Sequence, residues 1–488
     1  PRAASSIPGT LTVSNSAGVQ FTAAVSAGAV TLTNTVGTIQ FDGALTATTL
    51  NTAANAYNVT FNGGGTVTNA VSFLNTGSLT IDASGFAFTG GASKVTGAKS
   101  FDGTISSTNA ALNFGTAGAI TLAGSTTFSS GTGAITLFDV TALNFNLVLQ
   151  GSGADVLAAV SLGTGTLNLT GKTGGSVTVN GALTAATLST IGNAYNVAIL
   201  GSGTTITNLV TFSNIGSVTL GDAALDTLTF NGGITATAPA SKSIAGTIAT
   251  SADAVNLGTS ATTVTANATI TPGAAAITLA AVTINSGVTL TLGAGAATPI
   301  TTGTVSGAAA SGNLAINTTA AVTVAAVAGP NMGTVTITNS GGTTFSGGVT
   351  ATTVTLTATT GTIQFDGALS ATTLNTAANG YSVTLNGGGT VTAAVLFTNT
   401  GSLTIDPSGF TFTGGASKVT GAKSFAGTIS STNAALNFGT AGAITLAGNT
   451  TFSSGTGAIT LFDVTALNFN LVLQCSGADV LAAVSLGT

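Results

Sequence analysis

Apolar and small polar residues alternate along most of this chain in short runs. Examples are TIQF at 38–41, NVTF at 58–61 and SLTI at 78–81. Alternation at period two marks a strand with one buried face. These runs close on Phe41, Phe61, Ile81 and Phe101, a constant spacing of 20, and later on Phe365, Leu385, Ile405 and Phe425 at the same spacing. A fixed period of this size is the signature of stacked coils, because one such coil cannot bury its own apolar face. The pattern predicts an all-β chain: an elongated parallel β-helix (β-solenoid) of about 20 residues per coil, with two or three short strands per coil joined by Gly, Asn and Ser turns. About 24 coils stacked at roughly 4.8 Å give an expected rod on the order of 115 Å long.

A longer repeat overlies the short one. The string GTIQFDGAL stands at 37–45 and again at 361–369. Shifted by 324, residues 37–164 fall on 361–488 with 12 differences over 128 positions. A weaker copy lies between them, GALTAATLSTIGNAYNV at 181–197 matching 43–59 at a shift of 138. The expected organisation is one continuous rod of three segments: a first copy at 1–164, a diverged segment at 165–324 and a second copy at 325–488. Substitutions between the copies follow the alternation. In the pair 71–75 and 395–399, Val, Phe and Asn keep their places while Ser72 becomes Leu396 and Leu74 becomes Thr398. Outward positions vary and inward ones hold, as one buried face requires. A solenoid contacts only neighbouring coils, so whole blocks can be duplicated without redesign elsewhere.

Composition narrows the function classes. Charged residues are 4 % of the chain, against roughly 25 % in ordinary soluble domains. Hydrophobic residues are 44 %, which argues against disorder. All 12 acidic residues are Asp, and His and Trp are absent. Seven cations leave no nucleic-acid footprint. The single cysteine, Cys475, excludes an internal disulfide framework, and its counterpart in the first copy is Gly151. No apolar run reaches the roughly 18 residues a membrane helix needs. The chain starts at Pro1 without a secretion signal and reads as a processed product or a piece of something longer.

Candidate chemistry is sparse. The residue after each strand-closing position gives an Asx column, Asp42, Asn62, Asp82 and Asp102, repeated as Asp366, Asn386, Asp406 and Ala426. Stacked carboxylates could hold Ca²⁺, with Asp82 and Asp102 as the candidate ligands. The competing reading is a row of Asx turns, which the loss of a carboxylate at Ala426 favours. The three tyrosines, Tyr57, Tyr195 and Tyr381, share one motif. They could stack on sugar rings, but are expected to close a corner with the hydroxyl in water. Lys94 and Lys99 recur as Lys418 and Lys423 and read as a solvated turn. Thr-x-Thr strings at 10–12, 31–33 and 66–68 raise the possibility of an ice-binding face, against which their irregular spacing counts. Asp222 and Asp226 are the closest acidic pair, with no cation nearby in sequence. No nucleophile-base pair, phosphate loop or metal-ligand set is visible, so neither catalysis nor a cofactor is expected.

Strings such as AGAITLAGSTTFSSGTGAITL at 117–137 resemble the β-strand repeats of giant bacterial surface proteins, the autotransporter passengers and filamentous-haemagglutinin-like adhesins. The resemblance implies a secreted, right-handed β-solenoid with a structural or adhesive role. The expected function is an extracellular structural rod that self-associates into a fibre, sheath or surface layer. The alternatives are an adhesin stalk binding host, surface or glycan and, more remotely, an ice-binding solenoid. The expected partner is the chain itself, with glycans or a cell surface as further candidates.

Overall fold

A computed structural model describes residues 5–33, 36–308, 311–329, 332–357, 360–439 and 441–487. Among them every regular element is a β-strand. Every strand pairing for which a register is resolved is parallel, and the chain is a β-solenoid of about 22 turns with roughly 21 residues per coil. Contacts divide it into two units, Pro1–Ser243 and Ile244–Thr488.

The period read from the sequence is the register of the sheet. In the first unit Phe21 pairs with Phe41, Phe41 with Phe61, Phe61 with Ile81 and Ile81 with Phe101. In the second, Phe365 pairs with Leu385, Leu385 with Ile405 and Ile405 with Phe425. All of these except the half-buried Phe21 are fully enclosed. Aromatic rings stack along the column, Phe21 on Phe41 at 4.8 Å and Phe41 on Phe61 at 5.5 Å between centroids. A three-ring cluster, Phe101 with Phe114 at 4.9 Å and Phe128 at 5.6 Å, is rebuilt in the second unit by Phe425, Phe438 and Phe452. These offset and edge-on arrangements suit aromatic quadrupoles, and each enclosed ring buries a large apolar area within a mainly aliphatic core.

Coils run slightly longer than 20 because turns, and bulges within some strands such as the one between Phe101 and Gly103, absorb extra residues. Phe61 meets Ile81 at a separation of 20, but Val67 meets Phe88 at 21 and Val160 meets Leu183 at 23. The turn residues behave as their chemistry dictates. Ser84 N–H donates to the Asp82 carboxylate and Gly85 N–H to the Asp82 carbonyl, closing a turn around Ala83. In the second copy Pro407 takes Ala83's place and the same two bonds form from Ser408 and Gly409 to Asp406. Proline presets the backbone of that turn position. The alternation reading of 71–75 also holds. Val71, Phe73 and Asn75 are buried, whereas Leu74 is 52 % exposed and its neighbour Ser72 is exposed.

Candidate functional surface

The Asx column is a hydrogen-bonded ladder. Asp42 accepts from the side-chain amides of Gln20 and Gln40, both at 2.6 Å, and of Asn62 at 2.8 Å. These donors, Gln40 foremost, hold its carboxyl below the usual carboxylate range. Asp366 repeats the arrangement with Gln364 at 2.7 Å and Asn386 at 2.8 Å. Asp82 and Asp102, the candidate Ca²⁺ ligands, sit on successive coils. Each accepts a local backbone N–H, from Ser84 at 2.9 Å and Gly103 at 2.7 Å. Among the described residues no group of three or more His, Cys, Asp or Glu stands placed to hold a metal ion. Asp226 accepts the N–H groups of Asp222 and Ala223, so this acidic pair builds a turn.

The tyrosines depart from expectation. Tyr57, Tyr195 and Tyr381 are fully enclosed, and no hydroxyl reaches water. Tyr57 Oη accepts from Ala53 N–H at 3.0 Å and donates to the Leu32 carbonyl at 3.2 Å. Tyr381 does the same with Ala377 and Leu356, and Tyr195 accepts from Ile191. Burial raises all three phenols above their usual range. The backbone four residues upstream folds over each ring, so none can stack on a sugar.

The lysines depart further. Lys94, Lys99, Lys172, Lys242, Lys418 and Lys423, every lysine of the chain, are at most 3 % exposed. The expected solvated turn is a buried ammonium cage. Lys99 Nζ donates to the carbonyls of Ala117 at 2.7 Å, Gly118 at 2.9 Å and Gly97 at 3.2 Å, bridging two coils. Lys423 repeats this with Ala441, Gly442 and Gly421. Lys94 Nζ donates to the Asn75 carbonyl, and the Asn75 amide donates to the Tyr57 carbonyl. The result is a polar spine through three coils, copied at Lys418, Asn399 and Tyr381. In the diverged segment Asn214 still meets Tyr195, but the buried Ala236 stands where the lysine would be. Desolvation lowers Lys94, Lys99 and Lys418 to about 8. The sequence signal for this cage was the recurrence of two lysines in an almost cation-free chain.

The outer face carries hydroxyls in register. The three Thr-x-Thr strings noted in sequence do not form one rank, because Thr12 pairs with Thr31 whereas Thr66 pairs with Thr46. A different set does. Thr350, Ser370, Thr390, Thr411 and Ser430 follow one another across five coils. Two residues further along the chain stand Thr352 and Thr372, within their strands, and Thr392, Thr413 and Thr432, just past the ends of theirs; none of the ten is buried. Residues between the ranks, such as Ala351, Val391 and Phe412, point into the core. Thr46, Thr66 and Ser106 mark the same position in the first copy, with Ala87 interrupting. The rank in space thus belongs to a different set of hydroxyls from the strings noted in sequence.

Cys475 Sγ donates to the Asp479 carboxylate at 2.9 Å, and this contact raises the thiol above its usual range. No helix among the described residues is long and apolar enough to cross a membrane. No family model, curated protein or solved structure matches this chain.

Proposed function

We propose that the chain is an extracellular structural repeat protein whose solenoid self-associates into a fibre, sheath or surface layer. The observation that carries this reading is the burial of all six lysines. The exposed surface of the described residues thus holds no lysine, and what charge it has comes from dispersed aspartates. Solubility as separate particles relies on net surface charge of both signs well interspersed. A hydroxyl-covered, nearly uncharged exterior offers little repulsion when two solenoids meet side by side. Electron microscopy of the purified full chain is expected to show fibres or sheets that disperse when exposed threonines such as Thr372 and Thr392 are replaced by lysine. Uniformly dispersed single particles of the unaltered chain would count against the proposal.

A second reading, ice binding, is supported by the double hydroxyl rank. Within the strands its two repeats are set by the backbone, about 4.8 Å across coils and about 6.6 Å between alternate residues. Threonine's restricted χ1 keeps methyl and hydroxyl in place. A ligand for such a face is itself periodic and uncharged, and no aromatic ring stands in the ranks to favour a sugar. The full chain is then expected to inhibit ice recrystallisation, and Thr372→Lys with Thr392→Lys to abolish the effect while the circular-dichroism spectrum stays unchanged. Coarsening of ice at the rate seen in buffer alone would eliminate this reading.

A further inference from the structure

Five of the six buried lysines, Lys242 aside, face partners of two kinds. Those at 94, 99, 418 and 423 face backbone carbonyls, which belong to amides and do not acylate an amine. Lys172 faces a carboxyl group. Its Nζ lies 2.7 Å from Asp155 Oδ2, and both side chains are wholly enclosed. A second bond, from Nζ to the Gly153 carbonyl at 2.9 Å, fixes the amine from the other side. Asp155 Oδ1 accepts the Ile135 N–H at 3.0 Å. The two partners come from adjacent coils, since Gly151 pairs with Lys172 and Asp155 with Val177 in neighbouring ladders.

We propose that Lys172 and Asp155 are a modification site at which the two side chains condense into an amide that staples adjacent coils together. The chemistry needs no partner beyond the pair. The ammonium passes one proton to Oδ2, leaving a neutral amine and a carboxylic acid. The Nζ lone pair attacks Cγ, while the Ile135 N–H holds the charge that develops on Oδ1, as a fixed backbone donor does in acyl transfer. The Cγ–Oδ2 bond then breaks, and Oδ2 leaves with two protons, both from Nζ, as water. One C–N bond forms, one C–O bond breaks, and nothing is oxidised or reduced. The enclosure contributes twice. It favours the uncharged pair over two buried ions, and it excludes the bulk water that would hydrolyse the product. Holding the amine against the carboxyl supplies the proximity that a bimolecular condensation lacks. Burial acts on the acid in the same sense, raising the Asp155 carboxyl above its usual range.

The staple is independent of whether solenoids self-associate, and its test reads covalent mass alone. The intact mass of the full chain is expected to fall short of the sequence mass by one water. Proteolysis is expected to yield a branched peptide joining Asp155 to Lys172. Asp155→Ala is expected to restore the full mass. Should that variant fail to fold, Asp155→Asn preserves the shape, and its condensation releases ammonia, which changes the deficit to that of ammonia. Wild-type chain at full sequence mass, both fresh and after long incubation in the folded state, would overturn the proposal.

Discussion

Replacing Lys99 with methionine is expected to destabilise the first unit by about 3 kcal/mol, although methionine fills nearly the same volume and removes a buried charge. The reason lies in what stays behind. Three carbonyls, Gly97, Ala117 and Gly118, converge on the ammonium from two successive coils. A thioether donates nothing to them, and each buried acceptor left without a donor costs on the order of 1 kcal/mol or more. The loss acts where coils are held together at a corner, and in a solenoid such a loss is felt first by the neighbouring coils. Hydrogen exchange at the turns around residues 97 and 118, together with a denaturant midpoint, measures it. Lys423→Met is expected to reproduce the effect in the second unit, where Gly421, Ala441 and Gly442 form the same cage. Unchanged exchange in both variants would mean that the carbonyls find other donors and that the cage is dispensable.

The same residues give the chain an unusual response to alkali. Lys94, Lys99 and Lys418 titrate near 8 when folded, chiefly through burial, against an ordinary 10.5. Between about 8 and 10.5 the unfolded chain therefore binds more protons than the folded one, and stability rises with pH. The three buried phenols act in the opposite sense. Their folded titration lies above the ordinary 10.0, so above that value the unfolded chain sheds protons that the folded chain keeps, and stability falls. Denaturant midpoints are expected to climb from pH 8, pass a maximum near pH 10 and then drop. Lys99→Met is expected to flatten the rising limb.

How much of this was legible in the sequence depends on what kind of signal each feature leaves. The column from Phe41 to Phe101 was plain, because inward apolar positions at a fixed period leave an unambiguous trace, and the structure pairs those very residues. The turn at Asp82 was legible for the same reason, since Asx, Gly and Pro report local backbone geometry. Lys99 and Tyr57 were misplaced because their types are ordinarily amphipathic, and single-sequence reasoning puts their polar ends in water. What buries them is a set of backbone carbonyls and N–H groups, and a backbone group has no letter in the sequence. The hydroxyl ranks were missed through arithmetic: coils of 19 to 21 residues bring Thr390, Thr411 and Ser430 into register, so a search at a constant interval loses them.

Glycine after the Asx column was read as turn composition, and its spatial meaning leads to the other large expected effect. Gly63 lies directly over Gly43 on the preceding coil. A Cβ at position 63 would stand 2.4 Å from the Gly43 carbonyl carbon and 2.5 Å from the Asp42 carbonyl oxygen, both backbone atoms that cannot swing aside. Gly387 stands over Gly367 at 2.2 Å in the second copy. Neither residue has a left-handed backbone, so the demand for glycine here is one of space rather than of φ. Gly63→Ala must push apart neighbouring coils whose ladder spacing is set by hydrogen bonds on both sides, and overpacking of this kind costs about 3 kcal/mol. It would also strain the bond from Asn62 to Asp42 that joins the same coils. Gly380→Ala is the matched control, for nothing lies within 4 Å of its would-be Cβ and its backbone is not left-handed. That change is expected to be neutral or slightly stabilising, since alanine restricts the unfolded chain. Equal denaturant midpoints for the two variants would show that the coils can separate at this corner without cost, and that the glycine column serves the turn alone.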